Sequence, residues 1–264
     1  AVYLPLPISM HADWCIRSID AGKHVLCEKP LAANAQDAER VLRASEGTDR
    51  IVAEAMHFRY HPLVNRVRDI LRSGEIGRVE QIDASFSAYW PFTDFRFDYA
   101  MGGGGTIDMG CYPIGFIRAV MEEEPTVVDA HAGLYGTLID RWMRATMRVP
   151  SGADVRLFVG MRCRNLLSVS MKIQGSQGTI QILMTTGQDS CDIFDLVIIG
   201  ADHPESGRRH VCDGCHCGTG AGSLCGLLAA VGAAITDVAN LDRAGLDPQP
   251  GQASGRSTTT DDID

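Results

Sequence analysis

The first 56 residues alternate short apolar runs with stretches in which apolar residues recur at helical spacing. The apolar runs lie at residues 2–4, 24–27 and 51–53, and each predicts a strand. Helices are predicted between them, at residues 11–21 and 35–46. Strands and helices that alternate in this order favour a doubly wound α/β unit with a parallel sheet.

The second predicted helix has a recognisable start and an expected inner side. Asn34 directly precedes it and is a favourable N-cap residue. Its apolar residues at helical spacing are expected to face the sheet, and they are Ala35, Ala38, Val41 and Leu42.

From residue 61 the pattern changes to long segments with the alternating polarity of strands. A helix at residues 61–72 is followed by six predicted strands, at residues 78–89, 126–134, 141–149, 155–161, 166–174 and 178–184. Turn pairs such as Gly175-Ser176 separate several of them, which indicates a largely antiparallel sheet. A further helix is predicted at residues 108–120, where the two domains would meet.

Charge and composition exclude several classes of partner. The 264 residues include 24 Lys and Arg against 33 Asp and Glu, so we expect neither nucleic acid nor an anionic membrane surface to bind. The longest weakly polar stretch, residues 224–235, is far short of the roughly 20 residues that a membrane-spanning helix needs. The cysteines of the first 200 residues occur singly, which is typical of reduced thiols and predicts a cytoplasmic protein.

Three side chains carry groups suited to chemistry on an alcohol. Lys29 precedes Pro30, which favours extended geometry and projects the lysine from a strand end, at the edge where open α/β sheets bind ligands. Asp108 and Tyr112 are four residues apart and would share one helix face. A cation, a carboxylate and a phenol can take a proton from a secondary alcohol while a nicotinamide takes the hydride. We expect the ammonium to hold the substrate oxygen and to lower the pKa of the phenol.

Structural alternatives stay open at these positions. Lys29 is also compatible with a surface lysine at a strand-to-helix turn, and Asp108 with a carboxylate that stabilises the first turn of a helix. The four glycines at residues 102–105 indicate a place where a side chain would collide with nicotinamide or substrate, or else a flexible turn.

No metal site is predicted. A segment rich in cysteine and histidine has ligand spacing in one pair alone, and its candidate zinc ligands are His210, Cys212, Cys215, His216 and Cys217. The earlier histidines are interpreted as packing or hydrogen-bonding residues, and they are His11, His57 and His61.

Several motifs follow one another at regular intervals and support a family resemblance. They are Leu4-Pro5-Leu6-Pro7 with His11, the segment from Gly22 to Pro30, Glu54-Ala55 with Arg59 and His61-Pro62, Gly74-Glu75-Ile76-Gly77, Phe95-Arg96-Phe97-Asp98, the segment from Gly102 to Tyr112, and Gly175-Ser176 with Gly178. From residue 2 to about residue 182, the chain resembles the glucose-fructose oxidoreductase, inositol dehydrogenase and MocA (Gfo/Idh/MocA) family of NAD(P)-dependent oxidoreductases.

The resemblance implies a fold and a domain organisation. The fold is an α/β Rossmann-type remnant plus an α+β domain with a large, mainly antiparallel, open-faced sheet. Residues 1–56 would be the C-terminal part of the dinucleotide-binding domain, and residues 57–205 the domain for substrate and for homo-oligomerisation through its sheet. Residues 206–264 are rich in Gly, Cys, Pro, Ser, Thr and Asp and predict an irregular or disordered tail.

The resemblance also implies site residues. Lys29 matches the catalytic lysine of the family, and Asp108 matches its active-site aspartate. Tyr112 stands where members carry His or Tyr as proton donor or acceptor, and tyrosine is similar to the glucose-fructose oxidoreductase and dihydrodiol dehydrogenase branches. The residues expected to line NAD or NADP are Pro7, His11, Glu28, Lys29 and Arg96.

The chain departs from the family pattern in three places. The first two βα units and their Gly-rich turn would precede Ala1, and the sequence has no GxGxxG, so weak cofactor binding is expected. Ile8 stands where members usually carry Asn. After about residue 206 the resemblance ends, and a frameshift before the tail is one hypothesis for that change.

The sequence thus predicts an NAD(P)-dependent oxidoreductase that transfers hydride between nicotinamide and a secondary alcohol or carbonyl. Its substrate would be a sugar, a polyol or a cyclic diol. Two alternatives stay open, a non-catalytic member that senses a nucleotide or a sugar, and an inactive truncated fragment. The presence of Lys29, Asp108 and Tyr112 argues against the sensor.

Overall fold

The computed structural model describes residues 1–162, 167–184 and 194–200, which form two units with one sheet each. The smaller unit contains β1 (Val2–Leu4), α1 (His11–Asp20), β2 (Val25–Cys27), α2 (Ala35–Ser45) and β3 (Val52–Glu54). Its strands pair in parallel in the order β1-β2-β3. Because right-handed crossovers in this order place successive helices on one face, α1 packs against α2.

The predicted elements of the smaller unit are confirmed to within one or two residues at their ends. Gly22, with a φ of +71°, ends α1, and the Asn34 side chain caps α2 by accepting a hydrogen bond from the N–H of Asp37 at 2.8 Å. The predicted inner side of α2 is confirmed at Val41, which is buried, and is wrong at Ala35 and Leu42, which are exposed. The stripe that faces α1 and the sheet runs through residues 38, 41 and 44.

The larger unit is a seven-stranded sheet with two helices. Its elements are α3 (Pro62–Ser73), β4 (Val79–Ala88), α4 (Cys111–Met121), β5 (Thr126–Tyr135), β6 (Ile139–Arg148), β7 (Asp154–Met161), β8 (Leu167–Gly175), β9 (Gly178–Met184) and β10 (Phe194–Gly200). The strand order is β10-β9-β8-β4-β7-β6-β5, and every pair is antiparallel except β4 with β7. The six predicted strands are confirmed, whereas β10 was not predicted.

One face of the larger sheet carries the core and the other is open. Ile82, Val155 and Ile173 alternate inward and pack with the apolar sides of α3 and α4. On the other face, no element of the described part of the chain covers the sheet, so the prediction of an open-faced sheet is confirmed.

Short helical turns form the boundary between the two units. Four are 3₁₀ turns, at Ile8–Met10, His57–Tyr60, Phe95–Phe97 and Tyr99–Met101. A π-helical segment, Thr106–Gly110, leads directly into α4, so the predicted helix starts two residues earlier than expected. The predicted tail after residue 206 lies outside the described residues. Within the described ranges, no helix combines the length and the apolar character needed to cross a membrane.

Candidate active site

Lys29 lies at the carboxyl edge of the smaller sheet, as predicted. It follows β2, the central strand, and hydrogen bonds from Glu28 N–H to Leu4 O (3.1 Å) and from Ala55 N–H to Cys27 O (2.7 Å) extend the pairing on both sides. The Lys29-Pro30 peptide bond is cis. The lysine side chain therefore leaves the edge that faces the larger unit.

Asp108 receives the Lys29 side chain across the boundary. The Lys29 ammonium donates to the Asp108 carboxylate Oδ1 and to its main-chain oxygen, both at 2.8 Å. On the other side, Arg96 Nε donates to Asp108 Oδ2 at 2.6 Å. Asp108 is only 5% exposed, so two cations share one buried carboxylate. Such charge-assisted hydrogen bonds strongly fix the position of the ammonium.

Tyr112 lies in the first turn of α4, beside the same lysine. The Lys29 Nζ is 4.9 Å from the centroid of the tyrosine ring. The structure thus brings together Lys29, Asp108 and Tyr112, which the sequence separates by as many as 83 positions. Pro113 follows Tyr112 inside a helical run that begins at Thr106, so its missing N–H leaves one main-chain oxygen of the preceding turn without that donor.

The lowering of the Tyr112 pKa expected from Lys29 does not decide the net shift, which is upward. The pKa of Tyr112 is raised, chiefly because burial opposes the charged phenolate, and next because of negative charge at Cys111 and Asp108. The ammonium does not reverse this effect, since Asp108 compensates its charge. Burial likewise raises the pKa of the Cys111 thiol to about 12.

Aromatic and apolar groups surround the Tyr112 ring. The ring centroids of Phe86, His57 and Phe58 lie 5.5, 5.8 and 6.3 Å from it. Burial lowers the pKa of His57; Glu28 opposes this shift and the nearby Lys29 adds to it, so the imidazole favours its neutral form. The Tyr112 ring borders a mainly apolar cavity of about 190 Å³.

Arg96 is fixed by aromatic rings and a second carboxylate. Its guanidinium carbon lies 3.9 Å from the centroid of the Trp90 ring and 4.6 Å from that of Phe95. Arg96 also donates to Asp94 Oδ1 at 3.0 Å. Sequence reasoning missed Trp90, because the fold alone brings it under the guanidinium and no spacing in the sequence signals the contact.

The other predicted cofactor residues hold the loops at this edge. His11 is fully buried, with its ring nitrogens 2.8 Å from Pro30 O and 2.7 Å from Leu6 O, so it contacts both loops and does not reach an open surface. Pro7 O accepts from the Met10 N–H at 2.9 Å and so shapes the first turn.

Glu28 is engaged on both of its oxygens. It accepts from the Tyr3 hydroxyl at 2.6 Å and from the Lys29 N–H at 3.2 Å. The bond from Tyr3 to the carboxylate raises the pKa of that phenol to about 12. Glu28 therefore fixes the backbone that carries the lysine.

The glycine run is explained by contacts within the protein. A Cβ atom at Gly102 would lie 2.8 Å from the Ile8 Cβ and 2.9 Å from the Ser9 nitrogen, and one at Gly103 would lie 2.5 Å from the Arg96 main-chain oxygen. Protein atoms alone therefore require the absence of side chains at Gly102 and Gly103. At Gly102 the two units pack backbone against backbone.

In the ranges that the structure describes, no group of three or more His, Cys, Asp or Glu side chains is arranged to hold a metal ion. The candidate zinc ligands at residues 210–217 lie outside those ranges.

Two family models match the chain. The model described as "Oxidoreductase family, NAD-binding Rossmann fold" matches residues 1–56, and the one described as "GFO/IDH/MocA C-terminal domain" matches residues 64–181. The chain belongs to the GFO/IDH/MocA family of oxidoreductases, which confirms the resemblance found in the sequence.

Known proteins similar to the chain are oxidoreductases. It is 36% identical to an uncharacterized oxidoreductase of Rhizobium meliloti, over 73% of this chain and 59% of the relative. It is 35% identical to a D-xylose 1-dehydrogenase (NADP(+)) of Haloferax volcanii, over 60% of this chain and 49% of the relative. A solved 3-ketoreductase from Actinomadura kijaniata, in complex with NADP and TDP-benzene, superposes with a TM-score of 0.76 at 26% identity, over 91% of this chain and 70% of that chain. The chain thus spans about half to three fifths of the length of these two curated relatives.

Proposed function

We propose that the chain is part of an NAD(P)-dependent oxidoreductase that interconverts a secondary alcohol and the corresponding carbonyl group on a sugar, polyol or cyclic diol. The single observation that carries the proposal is the Lys29 ammonium, held by Asp108 at 2.8 Å and placed 4.9 Å from the Tyr112 ring centroid. A fixed cation next to a phenol is the arrangement that acid–base chemistry at an alcohol oxygen needs.

In this proposal each side chain has one role. Tyr112 exchanges the proton of the substrate hydroxyl, and its raised pKa keeps the phenol protonated and ready to donate. Lys29 binds and polarises the same oxygen, while Asp108 and, through it, Arg96 keep the ammonium in place. The mainly apolar lining of the cavity next to Tyr112 disfavours a charged phenolate there.

The cofactor part of the proposal rests on the carboxyl edge of the parallel strands. Three parallel strands end there, and Pro7, Glu28 and Lys29 border the edge, which fits the nicotinamide end of NAD or NADP. A bound cofactor would supply the hydride acceptor or donor, which no protein side chain can be. His11 would act indirectly, by holding the loops of Leu6 and Pro30.

The test uses a longer version of the chain that includes a complete nucleotide-binding domain. Oxidation of D-xylose, other aldoses and cyclic diols is followed with NAD and NADP. We expect Lys29→Met to lower turnover by about 10² to 10⁴, the usual range for a positioned acid–base group. Lys23→Met, at an exposed turn, is the matched control and should leave turnover unchanged. Equal turnover in wild type and Lys29→Met would remove Lys29 from the mechanism.

The proposal also covers the oligomeric state and the cellular location of the protein. We infer that the protein forms homo-oligomers through the open face of the larger sheet, which has a concavity of about 570 Å³ lined by both charge signs. Asp83 with Arg156, Lys172 and Arg144 lie there. A cytoplasmic location is supported by the free thiols of Cys15, Cys27 and Cys111.

A further inference from the structure

Asp140 contacts the first residue of the segment that carries Asp108. It is the second residue of β6, and its Oδ2 accepts hydrogen bonds from the Thr106 main-chain N–H at 2.7 Å and from the Thr106 hydroxyl at 2.6 Å. Thr106 begins the π-helical segment that continues into α4. A strand of the sheet therefore holds the start of the helix that carries the site.

The start of this helix has no local cap. The residue before a helix normally supplies a side-chain oxygen to the first free N–H groups. Here that residue is Gly105, which has no side chain to do so. The carboxylate of Asp140 takes the same place from 34 residues away, and its negative charge also suits the positive end of the helix dipole.

Gly104 and Gly105, which precede the helix, leave the space that Asp140 occupies. A Cβ atom at Gly104 would lie 2.7 Å from Asp140 Oδ1, and one at Gly105 would lie 3.0 Å from the Asp140 main-chain oxygen. Any side chain that could cap the helix locally would thus occupy the space of the aspartate. The glycines leave that space open, and the aspartate supplies the missing hydrogen bonds.

The residue that Asp140 caps, Thr106, is only two positions before Asp108 in the chain. The Asp108 N–H donates to Gly104 O at 3.2 Å, and the Asp108 carboxylate meets Lys29 directly. Tyr112 follows in the next turn. A displacement of about 1 Å at a reacting group can cost about 10²-fold in rate. A shift of the segment Thr106–Gly110 would therefore be expected to lower the rate of the reaction.

We infer that Asp140 is a positioning residue, which caps the active-site helix from the sheet and acts through Thr106 on Asp108 and Tyr112. The kinetic part of this inference rests on the proposed dehydrogenase function. The structural part stands on the hydrogen bonds alone and can be tested separately.

The structural test measures amide hydrogen exchange in the 264-residue chain. In Asp140→Ala, the Thr106 amide should exchange at least about 10-fold faster than in wild type, because it loses its acceptor. The amide of Val155, in the centre of the sheet, should exchange at an unchanged rate. Unchanged exchange at Thr106 would overturn the cap, whether or not the longer protein is active.

The kinetic test compares Asp140→Ala with Asp140→Asn in the longer version of the chain. The Ala variant should lose about 10- to 100-fold in kcat with KM for the cofactor within about 3-fold, and the Asn variant should recover most of kcat because its amide oxygen still accepts. Asp154→Ala removes an exposed carboxylate that pairs with Arg148 and should change nothing. An Asn variant as slow as the Ala variant would overturn the hydrogen-bond mechanism.

A milder pair of variants covers the case in which Asp140→Ala does not fold. Thr106→Val removes the hydroxyl donor and keeps the N–H, so a partial loss of kcat is expected, while Thr106→Ser should behave as wild type. Faster Thr106 exchange in Asp140→Ala, combined with full kcat, would overturn the positioning role. Absence of turnover in the wild type would instead count against the proposed function, and the exchange result would still decide the cap.

Discussion

Tyr112 keeps its proton because its surroundings oppose a negative charge. Its ring packs with His57, Phe58 and Phe86, and the Asp108 carboxylate is close by. A raised pKa favours the protonated form at every pH, so the phenol stays neutral where an ordinary tyrosine, with a pKa near 10, begins to ionise. A protonated phenol is ready to donate a proton, which in the proposed reaction is the direction of ketone reduction.

The ionisation of Tyr112 can be measured without an assay of activity. The tyrosinate absorbance of wild type minus that of Tyr112→Phe should show no ionisation below about pH 10, since burial holds the Tyr112 pKa above its ordinary value. Tyr60→Phe, which removes an exposed phenol, is the matched control. A difference signal that develops between about pH 8 and 9 would contradict the burial argument.

The glycine-rich segment is the element that joins the two units. Gly102 has a φ of +81° and packs on the backbone of the turn Ile8–Met10. Gly103 packs on the main-chain oxygens of Arg96 and Asp98. Position 102 therefore requires glycine for two reasons. Its backbone has a positive φ, and it packs closely against the turn Ile8–Met10.

A comparison of two glycines separates these requirements. Gly74, which ends α3, also has a positive φ of +74°, but a Cβ there would meet open space. Gly74→Ala should cost about 1–2 kcal/mol from the left-handed backbone alone. Gly102→Ala should cost at least about twice as much, because the Cβ also collides with Ile8 and Ser9.

Thermal unfolding of the 264-residue chain measures both effects. Each kcal/mol corresponds to a fall in Tm of about 2–4 °C for a protein of this size. Equal falls for Gly102→Ala and Gly74→Ala would mean that the two units can separate at Gly102 at little cost, and the close packing of the units would then be wrong.

The spacing of apolar residues, together with helix caps and turn residues, determines where helices and strands begin and end. Most of these elements are therefore predictable from the sequence. The cap at Asn34 and the stop at Gly22 are local signals, and the structure has both. The side of α2 that faces inward depends on how helix and sheet pack, and for that reason Leu42 was placed on the wrong side. The parallel pairing of β4 with β7 likewise follows from where the chain returns to the sheet, which alternation cannot specify.

The candidate site was predictable to the same degree. Lys29, Asp108 and Tyr112 have residue types and neighbours that indicate chemistry, and the structure brings them together. Trp90 and Asp140 carry no such signal, because each acts through a contact that only the tertiary structure creates.

At the scale of the whole molecule, the site lies between two sheets of different character. The parallel sheet presents Lys29 at its carboxyl edge, and the larger sheet supports the helix with Asp108 and Tyr112 on its covered face. On the face opposite the helices, Lys172, Asp83 and Arg156 lie side by side on β8, β4 and β7. A surface with both charge signs suits the proposed two-fold interface, since each surface must complement itself.

Charge reversal on that open face tests the proposed association. Arg144, on the open face, contacts the rings of Trp142 and Phe158, and Arg144→Glu should weaken self-association at least about 10-fold, because a two-fold interface repeats the reversed charge on both subunits. Arg118→Glu makes the same charge change on α4, away from the open face, and should associate as wild type does. Sedimentation velocity over a range of protein concentrations measures both. A monomeric wild type, or an Arg144→Glu variant that associates as strongly as the wild type, would assign the open face to something other than a second copy of this chain.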